Sequence, residues 1–180
     1  IEILTAAKIP VVVFETTNLT TIFQTIERMG KIFRVEENAQ ALIATMKQRL
    51  DTLALKTTGR SLPKTLVVVQ RRPLIVAGPN TFISELVQTV GGRNIVPTGG
   101  LAYPHLSMEQ VLAWQPEVIF DLDPASNAKT WERYHSLPAL QAKQLYFLSP
   151  DLFRPGPRIT EAAQMIAQAL QKNHETDPHR

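Results

Sequence analysis

Apolar positions recur at helical spacing from Leu19 through Ile22, Phe23 and Ile26 to Met29, which predicts a helix, with Asn18 placed to cap it. The same period returns in Ala39, Leu42, Ile43, Met46, Leu50 and Leu53, so a longer helix is expected over 36–56. Glu36 and Glu37 suit the positive end of its dipole, and Gly59 and Pro63 mark its stop. At 1.5 Å per residue such a helix spans about 30 Å, the width of a small domain. A helix of that length either covers a single sheet or joins two lobes as a spine. It separates two strand-bearing stretches, and both readings stand.

Beyond the long helix the pattern changes. Short, continuous apolar runs at 65–70, 117–122 and 144–149 read as strands buried on both faces. Between and after them, helical periods are expected over 81–90, closed by Gly91 and Gly92, and over 107–114, where Ser107 and Gln110 have the spacing of a capping box. A helical turn at 138–141 and a final helix over 159–171 complete the alternation. Strands alternating with helices predict an α/β fold with a largely parallel sheet. Residues 1–14 read as the end of a helix running into a buried strand, 11–14. With Ile1 in first place, this is the expected start of a truncated or processed chain. The tail, 173–180, has no apolar period and is expected to fray.

Composition narrows the classes of function. The 180 residues include no cysteine, which excludes a disulfide framework, a zinc finger, an iron–sulfur cluster and a thiol nucleophile. Hydrophobic residues make up 44% of the chain, too many for a disordered polymer. No apolar stretch approaches the ~18 residues that cross a bilayer. A net charge of +3, spread along the chain, gives no footprint for nucleic acid.

In open α/β sheets ligands bind beyond the carboxyl ends of the strands. The residues there are Thr16 and Thr17, then Gln70, Arg71, Arg72 and Pro73, then Asp123 and Pro124, then Asp151, Leu152, Phe153 and Arg154. The loop 99–105 adds Tyr103 and His105. On one edge these make a cleft of mixed aromatic and cationic character; as separate loops, Arg71 and Arg72 are solvated charges. Enzyme signatures are poorly represented. Gly78-Pro79-Asn80-Thr81 resembles a phosphate loop but lacks its glycine spacing and its Lys-Ser/Thr. There is no G-x-S-x-G elbow and no H-E-x-x-H pair, and His105, His135, His174 and His179 are scattered. Asp121 and Asp123 share a face only if the strand continues past Pro124; otherwise Asp123 is a turn residue. No catalytic or metal site emerges.

Several strings occur together: Gly91-Gly92-Arg93-Asn94-Ile95-Val96, Tyr103-Pro104-His105-Leu106-Ser107-Met108-Glu109-Gln110-Val111-Leu112, Gln115-Pro116-Glu117-Val118-Ile119, Leu145-Tyr146-Phe147-Leu148 and Arg154-Pro155-Gly156-Pro157-Arg158-Ile159. In this order they resemble the periplasmic substrate-binding proteins of cobalamin and ferric-siderophore ABC importers, with the cobalamin-binding branch the nearest. That class has two α/β lobes joined by one long helix. The resemblance implies that 1–35 are a remnant of the first lobe, 36–60 the connecting helix and 61–172 the second lobe. It implies no enzymatic turnover and a periplasmic location, or a membrane-tethered lipoprotein outside a Gram-positive cell. The expected partners are a corrinoid or metal-chelate ligand and a membrane-embedded ABC permease, with no resident cofactor.

By the same resemblance, Tyr103 stands where the cobalamin binders place a pocket aromatic, often Trp. Asp151 and Arg154 resemble the polar loop that faces the corrin amides, with Arg72 and Phe153 as further ligand contacts. Glu109 resembles the exposed acid that docks onto arginines of the permease. Each has a plainer competitor: Tyr103 as a loop anchor, Glu109 as an acid favoured by the helix dipole, Arg158 as a brace for the last helix. Tyr in place of Trp leaves open a haem or ferric-siderophore ligand, whose carboxylates would pair with Arg71, Arg72 and Arg154. Outside transport, the rivals are an enzyme on a doubly wound sheet and an interaction domain that has lost its ligand.

Overall fold

The computed structural model describes residues 2–57 and 61–176. In chain order the elements are α1 (Glu2–Ala6), α2 (Leu19–Phe33), α3 (Glu36–Leu55), β1 (Lys64–Gln70), β2 (Ile75–Val76), α4 (Phe82–Thr89), β3 (Arg93–Asn94), α5 (Met108–Trp114), β4 (Val118–Asp121), α6 (Ala128–Trp131), α7 (Pro138–Gln141), β5 (Leu145–Phe147) and α8 (Ile159–Thr176). Tight 3₁₀ turns follow α6 (Glu132–Tyr134) and β5 (Pro150–Phe153).

The sheet runs β2-β1-β4-β5, with β3 pairing the start of β1. β1, β3, β4 and β5 are parallel, as the alternation predicts; only β2 is antiparallel, folding back along the end of β1. β2 and β3 escape the sequence reading because two residues carry no period. Side chains leave β1 and β4 alternately: Val67, Val118 and Phe120 face a core shared with α2, α3, α4 and α8. Leu66, Val68 and Ile119 face a second core with Val111, Trp131 and Leu137. Burial on both faces is why these strands read as unbroken apolar runs.

Capping sets the helix starts. The Asn18 side chain accepts from the Thr21 amide at 2.8 Å, and the Ser107–Gln110 capping box forms as its spacing predicts. Asn18 is not the only anchor of α2: the Leu19 amide donates to Glu85 Oε2 of α4 at 2.6 Å, and Ile22 is buried in the first core. Residues assigned by sequence to a first-lobe remnant therefore pack against the sheet domain. α3 buries Ala39, Met46 and Leu50 but leaves Leu42 exposed.

Two expectations need correction. Residues 11–14 form no strand: Val12 and Val13 are 61% and 63% exposed, and no described strand lies beside them to accept their hydrogen bonds. The last helix continues past 171 to Thr176, so the described part of the tail is helical rather than frayed; 177–180 lie outside the described residues. Gly59, assigned as the stop of the long helix, also lies outside them. α3 ends at Leu55, with Lys56 as its cap.

Gly30 fixes how closely α2 and α3 cross. A Cβ built there would lie 2.6 Å from the Ala39 Cβ. Gly30→Val is expected to destabilise the protein by about 1–3 kcal/mol through overpacking. That outweighs the roughly 0.5 kcal/mol gained by removing a helical glycine. Urea unfolding reads the change; an unaltered midpoint would mean that the two helices separate freely.

Candidate ligand-binding site

The parallel register aligns Val68 with Asp121, and Asp121 with Phe147. The chain leaving β1, β4 and β5 therefore emerges on one sheet edge, bringing together Arg71, Arg72, Asp123 and the Pro150–Phe153 turn. The edge is stitched directly: the Arg71 amide donates to Asp123 Oδ2 at 2.7 Å, and the Ala125 amide to Asp123 Oδ1 at 2.9 Å. Asp123 is thus the turn residue of the two readings. Asp121 is buried, and its Oδ2 accepts from the Trp131 indole N–H at 2.7 Å and the Ser126 hydroxyl at 2.5 Å. The two carboxylates do not form an acid–base pair, because each is occupied by other donors.

Trp131 is the piece that sequence reasoning missed. Fully buried and held by Asp121, it presents its ring to Arg71, whose guanidinium carbon lies 4.1 Å from the ring centroid. Tyr134 packs edge-on against Trp131 and contacts two guanidinium groups, Arg71 at 5.9 Å and Arg133 at 4.9 Å. Arg71 is therefore not the freely solvated loop charge of the plainer reading. Two clefts open around it, of about 680 and 590 Å³, and both include Arg71, Arg72 and Thr130. The available signal was the run Trp131-Glu132-Arg133-Tyr134, aromatics interleaved with charges after a strand end.

Tyr103 lines neither cleft. Its loop adds to the outer side of β2: the Val76 amide donates to the Pro104 carbonyl at 3.2 Å, the Gly78 amide to Ala102 at 2.7 Å, and Ile75 bridges to His105. Gly78 permits this approach, since a Cβ there would collide with the Leu101 carbonyl. The ring is 43% exposed, and partial burial pushes its hydroxyl pKa above the usual tyrosine value, so it is a neutral phenol at physiological pH. Asp151 and Arg154 pair with each other at 3.0 Å on the turn after β5, both well exposed. Such a pair contributes little to stability. Phe153 is 7% exposed and sits in the first core, where it holds this turn down.

Glu109 lies in the first turn of α5, fully exposed, next to Met108 in the chain. A hydrogen bond with the Ser107 side chain, and then one from its own backbone, hold its carboxyl below the usual range. It is ionised at every pH near neutrality. Among the described residues no group of His, Asp and Glu is arranged to hold a metal, and no helix is long and apolar enough to cross a membrane.

The model of the periplasmic binding protein family matches residues 1–152. The chain belongs to that family. Among curated relatives of this periplasmic binding protein, the vitamin B12-binding protein of Vibrio cholerae is 30% identical over 159 residues, covering 87% of this chain and 58% of its own. That of Photorhabdus laumondii is 28% identical over 173 residues, covering 96% and 62%. The crystal structure of the periplasmic vitamin B12-binding protein of V. cholerae superposes with a TM-score of 0.83 at 26% identity, over 97% of this chain and 69% of that one. The periplasmic haem-binding protein of V. cholerae shares the fold, with a TM-score of 0.81 at 21% identity over 94% and 70%. This chain spans about 58–62% of the length of the curated relatives.

Proposed function

We propose that this chain is part of the substrate-binding component of an ABC importer that captures a corrinoid of the vitamin B12 type and delivers it to the permease. The observation that carries the reading is its kinship with proteins named for binding vitamin B12. In this reading 1–35 belong with a first lobe, 36–60 are the connecting segment that carries α3, and 61–172 are the second lobe, whose carboxyl edge forms one wall of the cleft. Tyr103 offers an apolar ring face to the ligand. Arg72 and the Asp151–Arg154 pair supply edge hydrogen bonds, and Phe153 supports their turn from below. Glu109 faces the permease. Affinity comes from aromatic area and a few placed polar groups in a largely preformed cleft, with no bond made or broken.

Calorimetric titration with cyanocobalamin, on a protein carrying both lobes, tests the reading. Tyr103→Ala is expected to weaken binding by about 1–3 kcal/mol, the value of one large buried side chain. Its melting temperature should not change. An unchanged dissociation constant with a lowered melting temperature would assign Tyr103 to loop packing instead. Absence of any corrinoid binding by the two-lobed protein would end the proposal.

A further inference from the structure

Residues 9–14, Ile-Pro-Val-Val-Val-Phe, follow α1 as chain that is neither helix nor strand. Among the described residues no backbone hydrogen bond reaches any of 10–14, so their amides and carbonyls have only water to pair with. Ile9 is half exposed, and Val12 and Val13 more so. An apolar, β-branched sequence with free backbone groups is a template for another strand.

The same apolar surface continues onto α2. The Thr25 hydroxyl donates to the Glu15 carbonyl at 3.5 Å, which sets the chain that follows 9–14 against the second turn of that helix. Thr25, Met29 and Ile32 share this face by their spacing. Met29 and Ile32 are exposed, and Phe33 after them is 67% exposed. The stripe that buries Ile22 in the first core therefore runs on, uncovered, past the sheet. A large exposed apolar surface of this kind marks a place of association.

The charges around the segment select what covers it. Lys8 stands immediately before 9–14 and Glu15 immediately after, both exposed and neither in an ion pair among the described residues. A second copy laid antiparallel brings Lys8 of each chain to the end where the other carries Glu15. A parallel copy would set like charges side by side. A two-fold axis makes the antiparallel arrangement self-complementary, with Val11 or Val12 close to its own counterpart. A ribbon of two strands is marginal in water by itself, and the exposed stripes of α2 supply the apolar bed that it needs. Pro10 lacks an N–H, which is tolerated in a ribbon whose outer edges stay open.

We propose that two copies of this chain associate through 9–14, paired as antiparallel strands about a two-fold axis and bedded on the exposed faces of α2. The contact uses no residue of the carboxyl edge and does not rest on the corrinoid reading.

Sedimentation velocity of the 180-residue chain should show a mass that rises from monomer to dimer with concentration. Val12→Lys is expected to weaken the dimer at least about tenfold, since a lysine on a strand edge opposes pairing. Lys8→Glu should weaken it about fivefold through two like-charge contacts, and Lys8→Glu with Glu15→Lys should restore it. All of these positions are exposed and outside both cores, so the fold is retained, and thermal melting verifies this. The chain has no cysteine, so a single introduced thiol reports the direction of pairing. Under mild oxidation Val11→Cys or Val12→Cys should give a covalent dimer, whereas Ile9→Cys, held several residues from its counterpart, should not. A monomer at every concentration overturns the proposal, as does a dimer that Val12→Lys leaves intact or in which Ile9→Cys links to itself. A monomer that sediments with vesicles of phosphatidylcholine and phosphatidylglycerol, or whose thiol at position 12 is shielded from alkylation, has another cover for the segment and also overturns it. Cyanocobalamin titration reads a different surface, so either proposal can fail while the other stands.

Discussion

Asp121→Leu is expected to lower stability by about 3 kcal/mol or more, although leucine matches the apolar surroundings of β4 and fits its volume. The reason lies in what the carboxylate accepts. The Trp131 indole and the Ser126 hydroxyl both donate to Oδ2, and the Asp123 amide donates to Oδ1 at 3.1 Å. Trp131 is fully buried, so its N–H has no water to turn to once the acceptor is gone. A buried donor left unmatched loses about 1–3 kcal/mol, and the half-buried Ser126 hydroxyl loses its acceptor along with the indole. Asp121→Asn keeps one carbonyl oxygen and should lose appreciably less. Urea unfolding measures both variants, and pairing each with Trp131→Phe in a double-mutant cycle isolates the indole bond. A loss below about 0.5 kcal/mol for Asp121→Leu, no more than an ordinary surface substitution, would show that the network is ornamental.

Glu109→Arg is expected to abolish ligand import while leaving ligand affinity within about twofold, well below the 1.4 kcal/mol of a tenfold change. The carboxylate projects from the first turn of α5 into solvent, held ionised by the Ser107 side chain. It makes no ion pair among the described residues, so reversing its sign breaks no internal ion pair, only its local hydrogen bond with Ser107. An arginine there meets the arginines proposed on the permease and raises the free energy of docking. Because the group's pKa is depressed, the negative charge persists as pH falls from 7 to 5 and is lost only below the usual carboxylate range. Docking should accordingly be insensitive to pH across that interval. Ligand titration in solution and permease ATPase stimulation in vesicles give the two readouts. Normal stimulation by the charge-reversed variant would leave Glu109 as helix-end electrostatics only.

The elements legible in the sequence were those whose burial is periodic or complete. α2, α3 and α8 carry apolar stripes, and β1 and β4 carry apolar runs because both their faces are covered. The capping pair Ser107 and Gln110 was equally readable, since its chemistry is local. Residues 11–14 misled for the opposite reason. Val11, Val12 and Val13 have the composition of a strand, but a strand exists only beside another one, and a run of valines does not say whether a neighbour is present. The Arg71 site was illegible because it joins residues 60 positions apart. Arg71 at the end of β1 meets Trp131 in α6 only through the parallel pairing of β1 with β4. Phe153 shows the converse error of proximity: it neighbours Arg154 in sequence, yet turns into the core while Arg154 turns to solvent.

The bond from the Leu19 amide to Glu85 has a mechanical consequence. It clamps the start of α2 to α4 across 66 residues, while Ile22 anchors the next turn in the core. α2 and α3 are thus geared to the sheet as one rigid body. The chain before Asn18 has no such clamp, since residues 9–14 pair with no strand and expose most of their side chains.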